Sequence, residues 1–149
     1  MPIVQSSYDV KASLQAVAEF HHSTQVLRRL TPPPVIVQIH RAEPLAEGSQ
    51  SEFTMWFGPI PVRWLAVHSQ VDPLSGFTDT QARGLLKRWV HTHGWAAEGE
   101  NLTRLTDRVV YEHSTGWRGL LSRLLFAPPL LRLMFFYRRL VIRKALESS

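Results

Sequence analysis

The chain has 149 residues, of which 44% are hydrophobic, a formal net charge of +5 and no cysteine. This length is typical of one domain, and the apolar fraction argues against a disordered chain. The lack of cysteine excludes disulfides, thiolate metal centres and cysteine nucleophiles. We therefore predict a single domain that spans residues 1–149.

The first 34 residues predict one strand and two short helices. Residues 3–8 are typical of a strand, and Ser13 can cap a helix that continues to about Phe20. A second short helix ends at the three consecutive prolines 32–34, because proline lacks the N–H donor and fixes φ.

After residue 34 the hydropathy pattern alternates with period two, which is typical of strands. Short turns containing glycine, proline, aspartate or asparagine separate these segments. The six predicted strands cover residues 35–40, 51–57, 62–71, 77–83, 85–97 and 102–113. Because a short turn joins each strand to the next, we expect an antiparallel meander.

The last segment, from Trp117, is helical in pattern and is interrupted by Pro128 and Pro129. Its second half, residues 130–146, is the one helix long enough to cover the sheet, and a ligand would lie between the two. The apolar face that we predict for this helix comprises Leu130, Leu133, Met134, Phe136, Tyr137, Leu140 and Val141.

Several polar side chains fall on the predicted interior face of the sheet, since residues two apart on a strand point the same way. These are Asp79, Gln81, His91, His93, Asp107 and Tyr111. Large aromatic side chains border them, namely Trp64, Phe77, Trp89 and Trp95. So much interior polarity is costly unless each group is paired or meets ligand or water.

The same region carries a family resemblance. The patterns Phe77-x-Asp79-x-Gln81-x-x-Gly84 and Trp89-x-His91-x-His93, with the segment 103–112, resemble a bacterial, cyclase/dehydrase-like branch of the START-like superfamily. The resemblance implies an α+β helix-grip fold: a curved antiparallel sheet of about seven strands around a long C-terminal helix, with two short helices after strand 1. It also implies binding or carriage of a hydrophobic or amphipathic small molecule.

Three interpretations of the polar cluster stay open. The side chains form a self-satisfied network, for example Asp79–His91 and Asp107–His93, or they form the polar end of an apolar ligand pocket. The third interpretation is general acid–base catalysis by His91, His93, Asp107 and Tyr111. Two histidines and an aspartate are also zinc-ligand types, but we predict no metal and no cofactor.

The predicted ligand-binding residues combine the interior face of the sheet with the helix. They are Trp64, Phe77, Asp79, Gln81, Trp89, His91, His93, Asp107, Tyr111, Leu133, Phe136 and Tyr137.

The net positive charge comes entirely from the C-terminal segment. Residues 1–113 carry ten basic and eleven acidic side chains, whereas residues 114–149 carry seven basic side chains against Glu147 alone. This segment is either the solvated outer face of the covering helix or, at 117–131, a transient contact with an anionic membrane surface. We predict no nucleic-acid partner, because the basic helix must also cover the core, and we expect a soluble, cytoplasmic protein.

Overall fold

The computed structural model describes residues 2–23 and 26–147. The elements in chain order are β1 (Ile3–Val10), α1 (Leu14–His22), α2 (Leu27–Leu30), β2 (Ile36–Ala42), β3 (Gln50–Phe57), β4 (Ile60–Asp72), β5 (Gly76–Arg83), β6 (Arg88–Gly99), β7 (Leu102–Glu112), α3 (Gly116–Leu125) and α4 (Pro128–Glu147). Each predicted strand and helix is present, with ends displaced by a few residues. The predicted cap is also confirmed, since Ser13 Oγ accepts a hydrogen bond from the N–H of Ala16 at 3.1 Å.

The seven strands form one antiparallel sheet in the order β1-β7-β6-β5-β4-β3-β2. Strands β2 to β7 are the predicted meander, and β1 joins its far end by pairing with β7, where Ile3 lies opposite Val110. The pairing of β5 with β4 begins only at Leu65 and Arg83. The first part of β4, residues 60–64, is therefore paired with β3 but not with β5.

Helix α4 packs on the sheet through a face different from the one predicted. Its buried side chains are Leu131, Phe135, Arg138 and Ile142, at helical spacings of four, three and four. Leu133 and Phe136, which we expected to line the ligand space, are 55% and 48% exposed. The prediction was wrong because apolar residues occur on both sides of this helix, and the buried side is not the side without arginine: it contains Arg138.

The predicted interruption of the C-terminal helical segment is present, since α3 ends at Leu125 and Pro128 and Pro129 begin α4. Proline suits the first helical positions, where the N–H group has no intrahelical acceptor. No single helix in the described ranges has the length and apolar composition to cross a membrane, while α3 and α4 meet both criteria only as a pair bent by 45°.

One end of the space between α4 and the sheet is filled by aromatic side chains. Trp64 packs edge-on against Trp89, with ring centroids 5.5 Å apart, and Phe126 lies within 6 Å of both rings. Phe135 of α4 belongs to the same core. The polar residues therefore lie further along the sheet, beneath the middle of α4.

Candidate functional site

Five ionisable side chains converge beneath α4, and we call them the polar cluster: Asp79, His91, His93, Asp107 and Arg138. They come from β5, β6, β7 and α4. All are buried except Asp79, whose side chain retains 19% of its exposure. The alternation of the strands explains why the first four share a face, as the sequence predicted.

The hydrogen bonds within the polar cluster run diagonally across the strands. Asp79 lies directly opposite His91, and Asp107 opposite His93, in the strand register. The shortest contacts are nevertheless His93 Nε2 to Asp79 Oδ2 at 2.5 Å and His91 Nε2 to Asp107 Oδ1 at 2.9 Å. The pairs given as examples of a self-satisfied network, Asp79–His91 or Asp107–His93, are further apart, at 3.9 and 3.5 Å.

Stacking of the two histidines accounts for the diagonal pairing. Their ring centroids are 3.7 Å apart with an interplanar angle of 25°, and Phe77 stacks on the other side of His93 at 4.3 Å. An imidazole held flat in such a stack presents its nitrogens at the ring edge, where diagonal neighbours lie within reach.

Arg138 is the member of the polar cluster that the sequence did not predict. Its Nη2 lies 3.7 Å from Asp107 Oδ1 and 3.4 Å from His93 Nδ1. Its burial could have been predicted from its spacing to the apolar Leu131, Phe135 and Ile142, which places all four residues on one face of the helix.

The cluster contains two ionised carboxylates. Burial alone would raise the pKa of Asp107, but the Arg138 guanidinium and the hydrogen bond from His91 outweigh it and hold that pKa well below its usual range. Burial acts in the same direction on Asp79, and the hydrogen bond from His93 more than compensates, so its pKa is also lowered.

His93 is neutral near pH 7. Burial, followed by the neighbouring His91, lowers its pKa to about 4. A carboxylate only accepts hydrogen bonds, so His93 Nε2 carries the hydrogen that is donated to Asp79. Its Nδ1 then has a lone pair, which faces the Arg138 guanidinium.

Metal binding is compatible with the spacing of three of these residues. The ligand atoms of Asp79, His91 and His93 lie within 4.8 Å of one another. Two of them, Asp79 Oδ2 and His93 Nε2, already share a hydrogen bond. The absence of a metal stays a prediction of the sequence.

A cavity of about 90 Å³ lies beside the polar cluster, between α4, the short helices and the sheet. Its polar lining consists of His21, Ser23, Ser51, His68, Asp79, His93 and Arg138. Its apolar lining consists of Val26, Leu27, Leu30, Phe53, Ala66 and Phe77. Two of the lining residues contain a buried polar atom without a hydrogen-bond partner in the described ranges, Ser51 Oγ and Arg138 Nε.

Apart from Gln81, the predicted binding residues lie in or beside the cavity, in the aromatic core or on α4. Phe77, Asp79 and His93 line the cavity, and His91 and Asp107 lie behind them in the polar cluster. Trp64, Trp89 and Tyr111 belong to the aromatic core, while Tyr137 is half-buried and Leu133 and Phe136 are exposed.

Gln81 has a local structural role outside the polar cluster. Its side-chain nitrogen donates to the carbonyl of Leu86 at 2.7 Å, and its oxygen accepts from the Leu86 N–H at 3.3 Å. It thereby fixes the turn between β5 and β6.

Two further histidines of the cavity were not predicted. Burial lowers the pKa of His21 to about 4 and also lowers the pKa of His68. His21 stacks on Trp95 with centroids 4.8 Å apart, and His68 Nδ1 lies 2.8 Å from Ser49 Oγ. His21 is the one histidine on the buried face of α1, and His68 is the one histidine on the buried face of β4. The sequence around each of them therefore contains no second polar residue that would have predicted a shared site.

Comparison with known proteins places this geometry in a known fold. No family model and no curated protein matches the chain, whereas solved structures match it over nearly its whole length. A START superfamily protein from Mycobacterium smegmatis has a TM-score of 0.70 at 12% identity, covering 98% of this chain and 97% of that one. Ginseng major latex-like protein 151 from Panax ginseng has 0.70 at 14%, covering 97% of each chain.

The aromatase/cyclase Zhui from Streptomyces sp. R1128 is also similar, with a TM-score of 0.70 at 11% identity, covering 99% of this chain and 98% of that one. At such identities the likeness establishes the fold, and the residues above carry the argument about function.

Proposed function

We propose that this chain, which has the START-like helix-grip fold, binds a hydrophobic or amphipathic small molecule in the cavity between its sheet and α4. The observation that carries the proposal is the pair of buried, unpartnered polar atoms, Ser51 Oγ and Arg138 Nε, on residues that line the cavity. An unpaired buried donor costs about 1–3 kcal/mol, and a ligand oxygen in the cavity would remove that cost.

The chemistry of the lining indicates the type of head group. Arg138 is a donor and the Asp79 carboxylate is an acceptor, and both adjoin the same space. A hydroxyl group would satisfy both, because it accepts from Arg138 and donates to Asp79, whereas a carbonyl group would satisfy Arg138 alone. A carboxylate is disfavoured, because Asp79 and Asp107 already give the cluster two negative charges against one arginine.

The size of the cavity limits which part of the ligand is enclosed. Its volume is about 90 Å³, whereas sites for drug-sized ligands have volumes of about 300–1,000 Å³. We therefore expect the head group to lie beside Arg138 and the apolar remainder to displace α2, a single turn that ends at Leu30.

A paired substitution tests the proposal. Ser51→Leu fills the cavity, whereas Ser69→Leu makes the same change at a position outside the cavity lining. Protein purified gently from its source is examined by native mass spectrometry, and binding of the neutral probe N-phenyl-1-naphthylamine is followed by fluorescence.

We expect a copurifying mass and probe binding in the wild type and in Ser69→Leu, and neither in Ser51→Leu. If Ser51→Leu and Ser69→Leu carried the copurifying mass and bound the probe equally, the cavity would be refuted as the binding site.

A second function, contact with an anionic membrane surface, is favoured by a separate observation. Of the ten large hydrophobic side chains exposed in the described ranges, seven belong to α3 and α4: Trp117, Leu120, Leu124, Leu130, Leu133, Phe136 and Leu140. The same two helices carry seven basic residues and one acidic residue. An exposed apolar stripe flanked by arginine is typical of helices that lie in a membrane interface.

Vesicle sedimentation tests this second function. Leu120→Ser with Leu124→Ser should reduce binding to vesicles containing phosphatidylglycerol, whereas Leu74→Ser, at a 54% exposed site on another part of the surface, should not. Binding should fall at high salt, since the attraction to anionic lipid is screened. Equal sedimentation of all variants would contradict the membrane contact.

A further inference from the structure

A second concave site lies outside the cavity, at the opposite edge of the aromatic core. It is a groove of about 430 Å³ between the unpaired start of β4, the turn that follows β5 and the first turn of α3. This volume falls within the range of small-molecule sites, which is about 300–1,000 Å³. We call it the β4–α3 groove.

The groove has a cationic rim. Arg63, Arg83 and Arg118 contribute to its lining, and Glu52 is the single acidic residue there. Glu52 lies 3.7 Å from Arg63, whereas Arg83 has no carboxylate within salt-bridge distance in the part of the chain that the structure describes. The excess of two positive charges favours an anion.

The inner wall of the groove is apolar. Val62, Trp64 and Leu85 are buried beneath it. Leu121 and the 68% exposed Trp117 extend this surface along α3. A ligand that fits both the wall and the rim must carry an apolar chain and a negative head group.

The open edge of β4 does not favour an extended peptide. Pro61 lies within the stretch that lacks a β5 partner and has no N–H to donate. On the facing side the carbonyl of Gly84 already accepts a hydrogen bond of 2.7 Å from Arg118 Nη2. Both features reduce the number of backbone hydrogen bonds that an added strand could form with this edge.

We infer that the β4–α3 groove binds an anionic amphiphile, with its phosphate or carboxylate head among Arg63, Arg83 and Arg118 and its alkyl chain on Trp64, Trp117 and Leu121. This inference does not depend on the proposed function, because the groove and the cavity share no lining residue. It also differs from the membrane contact, which uses the outward stripe of α3 and α4 and shares only Trp117 and Arg118 with the groove.

Calorimetric titration with decyl phosphate, kept below its micelle concentration, tests the inference. Decanol supplies the chain without the charge, and inorganic phosphate supplies the charge without the chain. Arg83→Glu reverses the unpaired charge at an exposed site, and Arg108→Glu makes the same change on exposed β7 surface away from the groove.

We expect decyl phosphate to bind at least about tenfold more tightly than decanol, since a hydrogen bond to a charged group contributes about that factor. We expect the same margin over inorganic phosphate, because phosphate lacks the alkyl chain that contacts the apolar wall. Arg83→Glu should weaken binding about tenfold or more, and Arg108→Glu should change it less than about twofold because its charge is remote and screened. Unchanged thermal melting of both variants confirms that they fold.

Two results would overturn the inference: equal affinity for decanol and decyl phosphate, or an Arg83→Glu affinity equal to that of the wild type. Loss of decyl phosphate binding in Ser51→Leu instead would assign the amphiphile to the cavity and would likewise overturn it. Phosphatidylglycerol vesicles identify the source of the ligand. If Arg83→Glu weakens vesicle binding as well, the groove takes a lipid from the membrane; if it weakens decyl phosphate binding alone, the ligand is a free amphiphile.

Discussion

The buried His21 makes the stability of this protein depend on pH, and its removal should abolish part of that dependence. The His21 side chain is 5% exposed, its Nδ1 donates to the carbonyl of Val17 at 2.9 Å, and its ring stacks on Trp95. His21→Phe keeps a ring in the stack and removes the titratable group.

The expected magnitude follows from the pKa in the two states. Burial lowers the pKa of His21 from 6.5 to about 4 in the folded protein, so between these values the unfolded chain binds more protons than the folded one. The contribution of His21 to stability is therefore complete above pH 6.5, is lost as the pH falls toward 4 and is constant below that. At 1.36 kcal/mol for each pH unit, the loss is about 3 kcal/mol.

Urea unfolding at pH 7, 6, 5 and 4, followed by circular dichroism, measures this effect. His93 titrates in the same range and contributes to both proteins, so the informative quantity is the difference in unfolding free energy between wild type and His21→Phe. That difference should shift by about 3 kcal/mol in favour of the variant between pH 7 and pH 4. A difference that stays constant within about 0.5 kcal/mol would show that protonation of His21 carries no burial cost.

Three further changes test the packing. Gly76→Ala should destabilise the protein by about 3 kcal/mol or more in urea unfolding, because Gly76 has φ +133° and a Cβ there would lie 1.9 Å from a backbone oxygen of β6. At Gly48 a Cβ would meet open space, so Gly48→Ala should cost about 1 kcal/mol. Ile142→Ala should cost about 2–5 kcal/mol and Leu133→Ala less than about 1 kcal/mol; equal costs would contradict the observed face of α4. Arg138→Leu should cost about 3–5 kcal/mol by removing the arginine counter-ion of the buried Asp107, and a neutral effect in thermal melting would refute that ion pair.

The strands were predictable because each one carries its own signal. On β7 and on β6 as far as Trp95, buried positions alternate with exposed or half-buried ones, which is the pattern that a sheet with one covered face imposes. The same alternation placed Asp79, His91, His93 and Asp107 together. The partner of each histidine was not predictable, because the ring stack that selects diagonal contacts is a property of side-chain conformation.

The face of α4 could not be predicted from its composition. Apolar side chains point both to the core, as Phe135 does, and to the solvent, as Phe136 does. The face that packs combines Leu131, Phe135 and Ile142 with Arg138, and the charge of Arg138 is compensated there by Asp107, 3.7 Å away. That compensation comes from a residue about thirty positions away and exists only once the sheet has formed.

The pairing of β1 with β7 determines when this domain can fold during its synthesis. Ile3 pairs with Val110 and Val10 pairs with Thr103, so β1 is made before the other strands of this sheet but has no neighbour until β7 has been made. Helix α4, which covers the interior face, is made later still. Until then the inward side chains of the meander remain in water, and closing a loop of about a hundred residues is slow. We therefore expect the partly made domain to be prone to association through its open sheet until β7 and α4 have been made.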